Sequence, residues 1–203
     1  SVAGSRPFER ETSFLEKITL IMGQKQQLIW DIPAIDSFYL NASIYDIEKK
    51  EAIKRIKKLS EMLEIGSEIY LPVRKLSLGQ RMKAELLAAL IHNPSILFLD
   101  EPTLGLDINA QANLRKFLQD YNKQTGATIL LTSHYMKDIT YLCKRVICIH
   151  EGYITYDGKL EKLLKKLSPN KEISIICKSK KDIENFKKLN LEIKNINDNQ
   201  ITF

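Results

Sequence analysis

Two carboxylates stand side by side at Asp100-Glu101, at the end of the apolar run Ile96-Leu97-Phe98-Leu99 and just before Pro102. Such a pair suits metal-assisted hydrolysis, in which one acid holds a divalent cation and the other activates water. A short apolar run bounded by Asn93-Pro94 and Pro102 predicts a strand buried on both faces, as in a parallel sheet covered by helices. The acids then lie at its carboxyl end, where open α/β sheets bind their ligands. Neighbouring strand residues point to opposite sides, which would separate the two roles. Taken alone, the pair also reads as two acids closing a strand before a turn.

Three further stretches carry side chains of the right kind. Ser77-Leu78-Gly79-Gln80 has the spacing of a capping box, with Ser77 and Gln80 three residues apart. A helix start of that kind attracts anions, because its first N–H groups and its dipole favour negative charge. Capping boxes are common, and this one needs no ligand to explain it. Ser133-His134 follows the apolar run Ala127 to Thr132. A lone histidine after a strand is ordinarily incidental, but a strand beside the Asp-Glu strand would open both ends onto one crevice. Gly23-Gln24-Lys25-Gln26-Gln27 follows the run Ile18 to Met22 and reads as a solvent-exposed linker or as a ligand-facing loop.

These stretches need elements to place them. Ile18 to Met22, Ile96 to Leu99, Ala127 to Thr132, Val146 to Ile149 and Tyr153 to Tyr156 read as strands, the last two joined by a hairpin turn at Glu151-Gly152. From Asp36 the period becomes helical. Phe38, Ile44, Tyr45 and Ile47 suggest a short helix, and Ile53, Ile56, Leu59 and Leu63 an amphipathic one that Gly66 ends. Met82, Leu86, Ala89 and Leu90 share a face of the helix after Ser77, and Leu114, Phe117, Leu118 and Tyr121 a stripe ended at Gly126. Leu104 to Asp107 is a turn, and Tyr135 to Cys143 is helical. No strand signal appears between Asp36 and Asn93, so a helical subdomain is inserted between two strands of an α/β core. Strand, helix, strand, helix, strand from Ile96 onward is the order of a parallel sheet with crossover helices. Leu160, Leu163, Leu164 and Leu167 form a last helix. Beyond it Glu172 to Cys177, Lys180 to Leu189 and Leu191 to Phe203 suggest strand, helix and strand.

Composition narrows the classes. The 203 residues are 44% hydrophobic, enough for a substantial core. Lys+Arg number 31 against 25 Asp+Glu, but the basic residues are spread over helices such as Glu48 to Lys58, and few aromatics are interleaved with them. Solvated helix faces explain them better than a nucleic-acid patch. Cys143, Cys148 and Cys177 show no CxxC spacing and read as reduced, mostly buried thiols. No apolar run approaches the roughly 20 residues that cross a bilayer.

Taken in this order and spacing, the motifs resemble the nucleotide-binding subunit of ATP-binding cassette (ABC) transporters, over about Ile18 to Gly158. Leu76 to Arg81 is similar to the signature sequence, Ile96 to Glu101 to Walker B, Leu104 to Asp107 to the D-loop, Gln24 to the Q-loop glutamine and His134 to the switch histidine. The wording Met22-Gly23-Gln24-Lys25 with Trp30-Asp31-Ile32-Pro33 resembles the ABC-2 type exporters. The resemblance implies a P-loop NTPase (RecA-like) core, and ATP and Mg²⁺ as cofactors. It implies that Asp100 holds Mg²⁺ with Gln24 beside it, and that Glu101 polarises the attacking water. His134 then contacts the γ-phosphate, while Gln24 senses it and passes closure to the membrane subunit. Ser77, Gly79 and Gln80 act in trans on ATP held by a second nucleotide-binding subunit, and Asp107 lines that dimer interface. The implied partners are that second subunit and transmembrane permease subunits, with no nucleic acid, at the cytoplasmic face of the membrane.

The sequence departs from the family in three places. Leu78 stands where the commonest signature has a glycine, and Leu104-Gly105 replace Ser-Ala of the common D-loop. No Gly-x-x-x-x-Gly-Lys-Ser/Thr is present: Gly158-Lys159 is followed by Leu160, and Tyr153 lies five before Gly158. A phosphate loop needs that pattern for its backbone amides and lysine. The family places it before the Q-loop, so an amino-terminally truncated chain, inactive alone, is expected. The expected organisation is 1–35 as a remnant of the ATPase core with the Q-loop, 36–92 as the helical signature subdomain, 93–168 as the core with Walker B, D-loop and switch histidine, and 169–203 as a small α+β extension that stops partway. Two other classes stay open: a soluble ABC-type ATPase of DNA repair or translation, and a non-catalytic half-cassette that lends its signature helix to a partner.

Overall fold

The computed structural model describes residues 1–23, 25–167, 174–176, 195–197 and 200–202. It divides into two compact units, Ser1–Cys143 and Lys144–Phe203. In the first, α1 (Thr12–Leu15) leads into β1 (Ile18–Met22), followed by α2 (Ala34–Ile44), α3 (Lys49–Leu63), α4 (Leu78–Leu90), β2 (Ile96–Asp100), α5 (Ile108–Thr125), β3 (Thr128–Thr132) and α6 (Met136–Leu142). Among the described residues β1, β2 and β3 form one parallel sheet in that order. Its register sets Ile18 beside Ile96 beside Thr128, and Met22 beside Asp100 beside Thr132. The three carboxyl ends therefore finish in one row.

The two faces of this sheet differ. Ile21, Leu97 and Leu99 join the buried core, whereas on the other face Leu20 and Leu130 are 47% and 54% exposed and Phe98 is half-buried. This corrects the expectation of a β2 buried on both faces. An unbroken apolar run looks the same whether one side or both are covered, and here alternation alone decides that Leu97 and Leu99 point inward.

The helices between β1 and β2 supply the other wall of the core. On α3, Ala52, Ile56, Leu59 and Leu63 are buried while the lysines between them face solvent. Glu64, in a left-handed conformation at φ 52°, caps this helix, so the end comes two residues before the expected Gly66. Helix α4 is enclosed on most sides, with Met82, Ala84 and Leu86 to Leu90 all buried. Leu114, Phe117, Leu118 and Tyr121 form the buried stripe of α5, which Gly126 ends. One apolar cluster runs from Ile21 through Phe38, Ile56 and Leu86 to Leu97 and Leu118.

In the second unit β4 (Arg145–His150) and β5 (Tyr153–Lys159) form an antiparallel hairpin, then α7 (Leu160–Leu167) follows. Its two turn residues, Glu151 and Gly152, have φ of 49° and 81°, the paired positive values that match the twist of a tight hairpin. This turn makes β5 the antiparallel partner of β4, as the expected hairpin at Glu151-Gly152 requires. Short strands β6 (Ser174–Ile176), β7 (Asn195–Asn197) and β8 (Gln200–Thr202) pair antiparallel in the order β6-β8-β7. The helix expected at Lys180 to Leu189 and the thiol of Cys177 lie outside the described residues.

Candidate functional site

The chain leaves β2 sharply. Asp100 is the last strand residue, and Glu101 takes a left-handed conformation at φ 49° that few non-glycine residues adopt. Hydrogen bonds from β3 hold it there: Glu101 N–H donates to Thr132 O at 3.2 Å and to Thr132 Oγ1 at 3.1 Å. The Thr132 hydroxyl donates in turn to Asp100 Oδ1 at 2.7 Å. The two carboxylates diverge because of this turn, and not because of the strand pleat on which the sequence argument relied. Glu101 reaches across to the next strand end, where Oε2 accepts the His134 N–H at 3.1 Å and Oε1 lies 3.3 Å from His134 Nε2. The Glu101 side chain is 16% exposed and that of His134 85%, so a half-enclosed acid carries an open imidazole.

The end of β1 completes the row. Gly23 N–H donates to Asp100 O at 2.9 Å, and a Cβ on Gly23 would stand 2.2 Å from Glu101 O. Only glycine permits that approach. Position 24 lies outside the described residues, so the expected Q-loop and metal role of Gln24 has no geometry here, although its neighbour Gly23 sits against both acids.

A second cluster forms where α4 and α5 begin. The capping box is complete: Ser77 Oγ accepts Gln80 N–H at 3.2 Å, and Gln80 Oε1 accepts Ser77 N–H at 2.9 Å. Gln80 Nε2 also reaches Glu68 Oε1 at 3.4 Å. Asp107 caps α5, its Oδ1 accepting Asn109 N–H and Ala110 N–H, both at 2.9 Å. The two helix starts touch, since a Cβ on Gly79 would lie 3.2 Å from Ala110 Cβ and one on Gly105 3.2 Å from Leu78 Cδ2. Glu101 to Leu106 is the loop that joins this cluster to the acids. Asp100, Glu101 and His134 thus come together at the strand ends, and Ser77, Gly79, Gln80 and Asp107 at the helix starts.

Two buried acids behind the site have no counterpart in the sequence argument. Asp138 on α6 is fully buried and accepts from Arg115 Nη1 at 2.7 Å, Thr103 Oγ1 at 2.5 Å and Ser133 Oγ at 2.8 Å. Ser133 Oγ also accepts Tyr135 N–H at 3.0 Å, so both neighbours of His134 are tied to one network. On α4, Glu85 is buried, and burial pushes its carboxyl above the ordinary value. Arg115, Asp138 and Glu85 lie at spacings that any solvated helix face shows, so nothing in the sequence marks them. Thr132, which orients both acids, was legible only as a strand residue.

A family described as "AAA domain, putative AbiEii toxin, Type IV TA system" matches residues 6–136. The ABC transporter ATP-binding protein NatA of Bacillus subtilis is 32% identical over 163 residues, 80% of this chain and 66% of that protein. An uncharacterized ABC transporter ATP-binding protein of Methanocaldococcus jannaschii, MJ1023, is 30% identical over 172 residues, covering 77% of this chain and 65% of that one. The chain thus spans just under two thirds of the length of these relatives. A solved structure titled "Structure of ATP binding subunit of ABC transporter" superposes with a TM-score of 0.71 over 82% of this chain and 69% of its own, at 21% identity, a likeness of fold. The chain belongs to this AAA-domain family and to the ATP-binding proteins of ABC transporters.

Proposed function

We propose that these residues form the hydrolytic and signature parts of the ATP-hydrolysing subunit of an ABC exporter. The observation that carries this reading is the Glu101 carboxylate, half-enclosed at the end of β2 and bonded to both the backbone and the imidazole side of His134. Held in this way, the Glu101 carboxylate is fixed in direction and keeps acceptor capacity beyond its His134 contacts with which to orient a water for attack on the γ-phosphate. His134, whose side chain is 85% exposed, is proposed to contact the γ-phosphate. Asp100 is exposed and has one oxygen bonded to Thr132. Among the described residues there is no group of three or more His, Cys, Asp or Glu side chains able to hold a metal. A single carboxylate fits Mg²⁺, which keeps several waters and takes its other ligands from phosphates. Bound there, the ion would neutralise charge on the phosphate oxygens. Gln24 remains the proposed sensor of the γ-phosphate and Mg²⁺.

Ser77, Gly79 and Gln80 are proposed to complete the site of a second nucleotide-binding subunit, with Asp107 at that interface. For the permease subunits, support comes from a groove of about 560 Å³ whose lining combines isoleucines such as Ile35, Ile53 and Ile69 with the charged Lys57, Glu61 and Glu64, a seat for a short amphipathic permease segment. With such partners the protein is proposed to work at the cytoplasmic face of the membrane. Among the described residues no helix is long and apolar enough to cross a membrane itself. Export is supported by the ABC-2-like wording around Gly23 and Trp30.

The 203 residues contain no Gly-x-x-x-x-Gly-Lys-Ser/Thr, so by themselves they are proposed neither to bind nor to hydrolyse ATP measurably. Assay of the purified chain tests this: the expected result is no Mg²⁺-dependent turnover. Turnover that Glu101→Gln abolishes would overturn the inactivity. Co-purification with a membrane permease is expected. Recovery with ribosomes or nucleic acid in its place would overturn the transport reading.

A further inference from the structure

The geometry points to Glu85 as a positioning residue that fastens the segment following position 24 to the helix bearing Ser77, Gly79 and Gln80. Its side chain sits in the core face of α4, between Met82 and Leu86, and the residue is 5% exposed. A carboxylate in such a place is costly unless its oxygens are satisfied. Glu85 Oε1 and Oε2 accept the Gln27 N–H at 3.0 and 3.2 Å, and Oε1 accepts the Leu28 N–H at 3.3 Å. Both donors are backbone groups of an irregular segment that has no strand ladder to occupy them.

The same segment has further anchors. Ile29 N–H donates to Ser37 Oγ at 3.4 Å, and the Arg81 guanidinium lies 5.8 Å from the Trp30 ring centre, within cation–π range. Arg81 and Glu85 are one turn apart on α4, so this helix grips the segment at Gln27, Leu28 and Trp30, while the Gln27 side-chain amide also donates to Leu20 O of β1 at 2.7 Å and Trp30 O accepts the Arg74 N–H at 3.0 Å. Residues 27–30 thus bridge β1 and α4, and a displacement of the glutamine loop would be felt at the capping box at the start of that helix. This step rests on the proposed role of Gln24 as phosphate sensor. A carboxylate suits the task better than an amide, because it offers two acceptor oxygens to two converging N–H groups. Burial raises its pKa, while the two N–H bonds and Arg81 act the other way, and Lys25 of the loop lines the same small cleft.

Trp30 is the only tryptophan, so its emission reports on the segment without a label. In Glu85→Gln, the Gln27 and Leu28 amides are expected to exchange with solvent at least about tenfold faster and Trp30 emission to move to the red, while the Leu97 and Leu99 amides keep their protection. In the unaltered chain the Gln27 and Leu28 amide resonances are expected to follow a single carboxyl ionisation that Glu85→Gln removes. Unchanged exchange at Gln27 and Leu28, or acceleration of all amides alike, would overturn the proposal. Should the variant fail to fold, the unaltered chain decides: amide resonances flat through the acid range count against the tether. None of these measurements involves nucleotide or a permease, so their failure is separable from failure of the transport reading.

Discussion

Leu78 and Gly105, two departures from the family pattern that lie 27 positions apart in the chain, meet in space: a Cβ on Gly105 would stand 3.2 Å from Leu78 Cδ2. The leucine at the start of α4 packs over the turn before α5, and the turn can accept it because Gly105 has no side chain. Gly105 also holds φ at 75°, in the left-handed region. Gly105→Ala is therefore expected to lower stability by about 1–2 kcal/mol from the backbone alone, and further from the leucine contact. In a Leu78→Ala background the contact part vanishes and the backbone part stays. Thermal unfolding of the two single variants and the double variant separates them, and strictly additive losses would show that the two residues do not press on each other.

Gly23→Ala introduces a worse conflict. The new methyl would meet the Glu101 carbonyl oxygen at 2.2 Å, and neither backbone can turn aside as a side chain would. The expected loss is about 1–3 kcal/mol, the range of overpacking. Since Glu101 N–H is shared with Thr132, the shift reaches the Glu101–His134 bond, and the His134 amide resonance should move. A variant as stable as the original, with that resonance in place, would contradict the packing of β1 on the acids.

The Arg115–Asp138 pair is nearly enclosed, with side chains 10% and 0% exposed. Asp138→Ala leaves a guanidinium buried without its partner, together with the Thr103 and Ser133 hydroxyls. The expected cost is about 3–5 kcal/mol, read as a lower urea midpoint at unchanged slope. A loss below about 1 kcal/mol, the size of an exposed pair, would mean that water reaches this network.

His92 makes stability depend on pH. Its ring stacks on Tyr45 at 3.9 Å between centroids, Nε2 lies 3.3 Å from Ile18 O, and the buried Nδ1 has no hydrogen-bond partner among the described residues. Burial, chiefly, lowers its pKa from the ordinary 6.5. The unfolded chain then binds the proton more readily than the folded one, so stability rises with pH across this window. The contribution is complete above 6.5 and is lost as pH falls through the lower folded value. His92→Phe keeps the stacking and removes the titration. The stability difference between the two proteins should be constant above that pH and shift in favour of the variant below it. Parallel curves throughout would rule out a protonation penalty at this ring.

Local patterns determined a good deal. The apolar runs at Ile18, Ile96 and Ala127 become three parallel strands within a residue of their expected bounds. Ser77 and Gln80 close the capping box their spacing predicts, and Glu151-Gly152 turns the hairpin. Each depends on interactions within a few residues, where side-chain type and spacing suffice. The order of motifs from Gln24 to His134 likewise pointed to the ABC ATP-binding family that the matches bear out.

Only the tertiary structure decided the rest, because those features depend on residues distant in the chain. The open side of the sheet at Leu20 and Leu130 follows from what packs against it, which an apolar run does not encode. The left-handed turn at Glu101 exists because Thr132, on the neighbouring strand, holds its N–H, and that turn aims the carboxylate at His134. Arg115 meets Asp138 across two helices, and Glu85 meets the Gln27 and Leu28 amides across 58 and 57 positions of chain. A polar residue's solvation is set by its three-dimensional neighbours. Periodicity could therefore single out the adjacent acids Asp100-Glu101, but not the threonine, the glycine and the buried acids that surround them.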